Sequence, residues 1–189
     1  MKNFKTGILS FLLFAGVLVS CTNTGTKENP VKEAERVNDQ KFEKPDQKNA
    51  QLLVDAWLNG NYVMRMADTA RKFVTTDDGK RLAGMITDTY MKINDRIAKM
   101  AAAKQITLPA DISDQQKRKL GDIENKKAKD LDKEFANAMV REQEDAIKLY
   151  EKSAADATDS DIKSFFTATL PELHANLDMA IKSRDVLSK

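Results

Sequence analysis

Apolar residues recur at helical spacing in four long stretches of this chain. Their steps of three, four or seven residues place them on one face of an α-helix. The first stretch covers residues 46–74, the second opens at Thr76, the third starts at about Ala128, and the fourth starts at Thr158–Asp161. The residues expected to face inward are Leu53, Ala56, Val63, Met66 and Ala70; Leu82, Ile86, Tyr90, Ile93 and Ile97; Leu131, Phe135, Met139, Ala146 and Tyr150; and Ile162, Phe166, Leu173, Leu177 and Ala180. We therefore predict an all-α fold, a four-helix bundle.

The lengths of the connections indicate the topology. Thr75–Thr76 separates the first two helices and Ala157–Thr158 the last two, so each pair is expected to form an antiparallel hairpin. Residues 105–127 are a much longer connection, with a short helix opened by Ser113 and capped by Gln116. A long crossover between helices two and three is typical of ferritin-like bundles. The periodicity also fits a plain up-down bundle with a large excursion.

Pro171 lies inside the fourth helical stretch. Proline lacks an amide donor and clashes with the carbonyl four residues before it. Because the apolar period continues through Leu173 and Leu177, we predict that the helix bends near Thr167–Pro171 and does not end there.

The chain begins with an export signal that ends at its only cysteine, Cys21. A short basic start precedes an apolar run that is too short to span a bilayer. Leu18-Val19-Ser20-Cys21 matches a bacterial lipobox, so residues 1–20 are predicted to be a lipoprotein signal peptide and Cys21 to carry acyl chains such as palmitate. An ordinary secretory signal that leaves one free cysteine is the alternative. Two or three acyl chains would anchor the protein stably to a membrane.

The rest of the chain divides into two parts. Residues 21–45 are polar, with few large apolar side chains, and are predicted to be a flexible tether. Residues 46–189 are predicted to be the helical bundle domain. Loss of Lys2 and Lys5 with the signal lowers the formal charge from +2 to zero, so no nucleic-acid partner is expected.

Order and spacing of three short motifs give the chain a family resemblance. These are Ile106-Thr107-Leu108-Pro109, Met139-Val140 and Thr169-Leu170-Pro171. Over about Lys48 to Arg184 the chain resembles domain-of-unknown-function family 4142, exported bacterial proteins expected to be ferritin-like. The resemblance implies inward histidines in helices two, three and four. Here the matching positions hold Thr89 or Tyr90, then Gln143, then Asn176.

These substitutions predict that the bundle binds no metal and needs no cofactor. Tyr90, Gln143 and Asn176 form instead a candidate polar cluster in the core, because buried amides and phenols are stable when hydrogen-bonded. The only histidine, His174, is expected at the surface, and Glu142, Glu144 and Asp145 on a solvated face. The methionines at helical spacing are interpreted as core residues. These are Met64, Met66, Met85, Met91, Met100, Met139 and Met179.

No motif for nucleophilic catalysis or phosphate binding is present in the sequence, so we do not expect an enzyme. The leading hypothesis is a lipid-anchored, non-catalytic bundle of the cell envelope that binds a partner protein or an envelope component. Thr22, in place of the aspartate that retains some lipoproteins in the inner membrane, favours the outer membrane. The alternatives are a ferritin-like metal-binding or oxidative-stress protein and a carrier of a small apolar ligand.

Overall fold

Six α-helices make up the regular structure of the described residues. The structure, a computed structural model, describes residues 29–124 and 128–187, without the side chains of residues 123–130. The helices are α1 Pro30–Lys41, α2 Asp46–Arg71, α3 Asp77–Ala103, α4 Asp114–Glu124, α5 Ala128–Asp156 and α6 Ser160–Leu187. Within these residues there is no strand. The prediction of an all-α chain is confirmed.

Capping side chains explain where several helices begin. The Thr76 hydroxyl accepts from the amide of Gly79, as predicted for the start of α3. Ser113 and Gln116 cap each other's amides at the start of α4, which confirms the predicted capping box. At α6 the cap is Asp159, whose carboxylate accepts from the amides of Asp161 and Ile162. It lies one residue after Thr158, where the predicted capping box begins.

The first helix corrects the prediction that residues 21–45 form a flexible tether. Residues 30–41 are helical, so the prediction is wrong there, while Cys21 lies outside the described residues. Asn29 caps the amide of Val31 and Pro30 occupies the first turn, where its missing amide costs nothing. The Asn38 side chain both donates to and accepts from the backbone of Thr107. The two buried residues of α1 are Asn38 and Ala34.

Hydrogen bonds between loops and helix ends define the directions of the long helices. Asp132, near the start of α5, accepts from Thr75 and Thr76 in the loop between α2 and α3. At the opposite ends, Asn49 in the first turn of α2 bonds Thr158 in the loop between α5 and α6. The segment between α3 and α5 therefore starts at one end of the helices and finishes at the other.

Packing joins these helices side by side. Helix α2 contacts α3 and α5, α6 contacts α5 and α3, and α4 lies on α2. The Trp57 indole donates to the carbonyl of Pro109, and the Gln116 amide donates to that of Leu58, which fixes the crossover along α2. No helix in the described ranges is both long and apolar enough to cross a membrane.

Pro171 lies within one continuous helix. Helix α6 extends from Ser160 to Leu187 across it, so the proline does not end the helix, as predicted. Pro171 is exposed, while Leu173, two residues later, is fully buried. The apolar face of α6 thus continues past the proline.

Gly60 lies where α2 and α3 approach closely. A Cβ added to Gly60 would overlap the buried side-chain amide of Asn94, whereas one added to Gly84 would meet nothing. We expect Gly60→Ala to lower the free energy of unfolding by about 1 kcal/mol, because the cost of overpacking against Asn94 exceeds the gain in helix propensity. The matched Gly84→Ala should raise it by about 1 kcal/mol through helix propensity. Urea unfolding measures both; a stabilised Gly60→Ala chain would contradict the close approach.

Candidate functional site

Two of the three residues of the predicted polar cluster meet in the core. Tyr90 on α3 and Gln143 on α5 are fully buried, and Asn176 on α6 is nearly so. The Tyr90 hydroxyl donates to Oε1 of Gln143 at 3.1 Å. Burial raises the pKa of Tyr90 well above its usual value, so the phenol remains a neutral donor.

Asn176 is not joined to this pair. Within the described part of the chain, neither its Nδ2 nor Nε2 of Gln143 has a hydrogen-bond partner. The structure therefore connects Tyr90 with Gln143 and leaves the third member of the predicted cluster apart. The Tyr90–Gln143 pair is a neutral contact between α3 and α5.

Aromatic rings pack beside the polar pair. The Tyr150 ring meets that of Phe166 edge-on with centroids 5.1 Å apart, and Phe165 packs on both. Arg96 on α3 pairs with Glu172 on α6 at 2.8 Å, next to the Phe165 ring. The three rings thus form one aromatic cluster between α5 and α6.

Potential metal ligands are dispersed over the described residues. Within residues 29–124 and 128–187, no three histidine, cysteine, aspartate or glutamate side chains lie close enough together to hold a metal ion. His174 is exposed on α6. The predicted absence of a metal is a separate matter and stays a prediction.

A groove lies between α2, α4 and α5. It consists of two cavities of about 510 and 290 Å³ that share Tyr62, Lys119 and Glu142. Apolar residues of the larger cavity form its floor: Met66, Leu131, Phe135 and Ala138. The Lys119 ammonium lies 5.9 Å from the centroid of the Tyr62 ring. The groove thus combines an apolar floor with a charged rim.

Glu142 is the one member of the predicted solvated face that the structure places differently. Glu144 and Asp145 are exposed, as expected, but Glu142 is half-buried in the groove. Burial raises the pKa of Glu142, an effect that Lys119 opposes and Asp145 reinforces. The sequence shows Glu142 beside inward-facing Gln143, but it does not show that α4 covers this side of α5.

Asp132 is an important residue that the sequence analysis missed. Its side chain is only 7% exposed, and its carboxylate accepts from both the amides and the hydroxyls of Thr75 and Thr76. Burial would raise the pKa of Asp132, but these four hydrogen bonds outweigh it and lower the pKa below its usual range. No local sequence pattern predicts that the start of α5 lies beside the loop between α2 and α3.

Comparison with known proteins gives one match. The profile of the family described as "Domain of unknown function (DUF4142)" matches residues 34–182, from within α1 to near the end of α6. No curated protein matches the chain. No solved structure matches it either. Because the match covers most of the sequence, the chain belongs to the DUF4142 family of domains of unknown function.

Proposed function

We propose that this protein is a lipid-anchored, non-catalytic helical bundle of the bacterial cell envelope that binds a partner protein or an envelope component. Its fold is a ferritin-like four-helix bundle of α2, α3, α5 and α6, with a long crossover that contains α4. Cys21 carries the lipid, and the outer membrane is the membrane that the following Thr22 favours.

Helix directions support the ferritin-like topology. The Lys104 ammonium at the end of α3 pairs with Asp159 at the start of α6 at 2.6 Å. Together with the Asp132 and Asn49 contacts, this makes α3 and α5 run in the same direction, with α2 and α6 opposite. Two hairpins joined by a connection that returns along the bundle match that topology.

The observation that carries the proposal is the neutral hydrogen bond between Tyr90 and Gln143 at the centre of the bundle. Metal-binding ferritin-like bundles direct carboxylates and histidines inward from their helices. A phenol and an amide are poor ligands for transition metals in comparison. The accessible groove on the outside of α5 is then the better candidate for binding.

Photo-crosslinking in intact cells tests this proposal. A photoreactive phenylalanine analogue replaces Arg141, which lines the groove, or Glu144, which is exposed three residues further along α5. We expect a discrete adduct from position 141, less from position 144, and loss of both the adduct and detergent partitioning in Cys21→Ser. Equal adducts from the two positions, or a Cys21→Ser chain that has lost the apolar run before residue 21 and still partitions into detergent, would contradict the proposal.

A further inference from the structure

The two cavities of the groove meet around an unpaired carboxylate. Glu142 forms no hydrogen bond or ion pair with any other described side chain, although Lys119 and Arg141 line the same cavity. Half-burial removes much of the water that would stabilise its charge. A carboxylate left in this state gains most from a cation that enters from outside.

An ammonium group already lies in the groove. Lys119, on α4, places its Nζ over the face of the Tyr62 ring, where the electron-rich π surface attracts cations. Lys119 and Tyr62 line both cavities together with Glu142. The groove therefore accommodates a primary ammonium next to an aromatic face and an acidic group.

The floor of the larger cavity is apolar over several residues. Met66 on α2 and Leu131, Phe135 and Ala138 on α5 line it. Met66, Leu131 and Phe135 are nearly inaccessible from outside and lie at the bottom of the groove. A ligand of this groove gains from an apolar body as well as from a charged head.

We propose that the groove binds an amphipathic organic cation, with its primary ammonium received by Glu142 and Tyr62 and its apolar body over the partly exposed Ala138, above the buried Met66, Leu131 and Phe135. This inference rests on the proposed binding function and names the chemistry of the ligand. Lys119 competes with the ligand for the Tyr62 face. Removing the lysine charge should then strengthen binding.

Three probes with the same eight-carbon chain distinguish the contribution of the charged head to binding from that of the apolar body. Octylammonium, octanol and octanoate are titrated by NMR into the mature chain, residues 21–189, carrying Cys21→Ser, which has neither the lipid nor the apolar run before it and therefore needs no detergent. We expect saturable binding of octylammonium, binding of octanol about tenfold weaker, and none of octanoate. Octanol binding as tightly as octylammonium, or no saturation by octylammonium, would overturn the inference.

Variants of the rim assign the effect to Glu142. Glu142→Gln should weaken octylammonium binding about tenfold and leave octanol unchanged, and Lys119→Met should strengthen octylammonium binding a few-fold. Glu144→Gln, on the exposed side of α5, is the control and should change neither. Unaltered octylammonium binding in a folded Glu142→Gln chain would overturn the inference. The adducts from position 141 test the binding function independently of these probes.

Discussion

Asp132→Ala is expected to lower the free energy of unfolding by about 3 kcal/mol. The carboxylate accepts from the amides of Thr75 and Thr76 at 3.0 and 3.1 Å, and also from their hydroxyls. Removing it deletes the charged acceptor that four donors of this part-buried loop share, and a hydrogen bond to a charged group contributes more than one between neutral groups. Urea unfolding measures the change. Asp145→Ala is the control, because Asp145 is exposed and its one ion pair among the described residues is with nearby Lys148, and it should cost under about 0.5 kcal/mol.

Acid should abolish the contribution of Asp132. Because folding lowers the pKa of this carboxyl, its stabilising effect is complete above the unfolded pKa of about 3.9 and is lost as the pH falls through the lower folded pKa. The stability difference between the parent chain and Asp132→Asn should therefore be constant from about pH 5 to 7 and shrink below about pH 4. A difference that persists unchanged at lower pH would mean that the charge of Asp132 does not hold the loop.

Gln143→Leu is expected to cost about 2 kcal/mol, because it leaves the buried Tyr90 hydroxyl without its acceptor. Tyr90→Phe removes the other partner. The double variant should lose less free energy of unfolding than the sum of the losses in the two single variants. A double-mutant cycle by urea unfolding gives the coupling energy. Asn176→Leu should cost less than Gln143→Leu, because the Nδ2 of Asn176 has no partner among the described residues. Strictly additive costs for Tyr90 and Gln143 would contradict a direct hydrogen bond.

The long helices could be predicted because their signals are local. The apolar period locates α2, α3, α5 and α6, and the capping side chains of Thr76 and Ser113 locate two helix starts within a residue. Pro171 was predicted to bend α6 without ending it, because the apolar period continues beyond it, and the helix does continue. These features depend on neighbours within a few positions along the chain.

The remaining features depend on contacts between distant segments. Helix α1 was missed because its two buried residues are Asn38, whose amide bonds Thr107, and the small Ala34, which a count of large apolar residues overlooks. Half-burial of Glu142 follows from where α4 lies, and the hydrogen bonds of Asp132 from where α5 begins. The pairing of Tyr90 with Gln143 and not with Asn176 depends on side-chain directions that periodicity does not provide.

This bundle is proposed to have a neutral core and to bind its ligand elsewhere. The metal content of the purified full chain tests that proposal. The chain is incubated in turn with iron, manganese and zinc, dialysed, and analysed by elemental mass spectrometry. We expect no stoichiometric metal, because Tyr90 and Gln143 occupy the centre of the bundle. Neutral amides compete poorly with imidazole and carboxylate for these ions. One or two ions retained per chain would contradict it and would favour the ferritin-like metal-binding alternative, with Glu142, Asp88 and Glu172 as the first ligands to substitute.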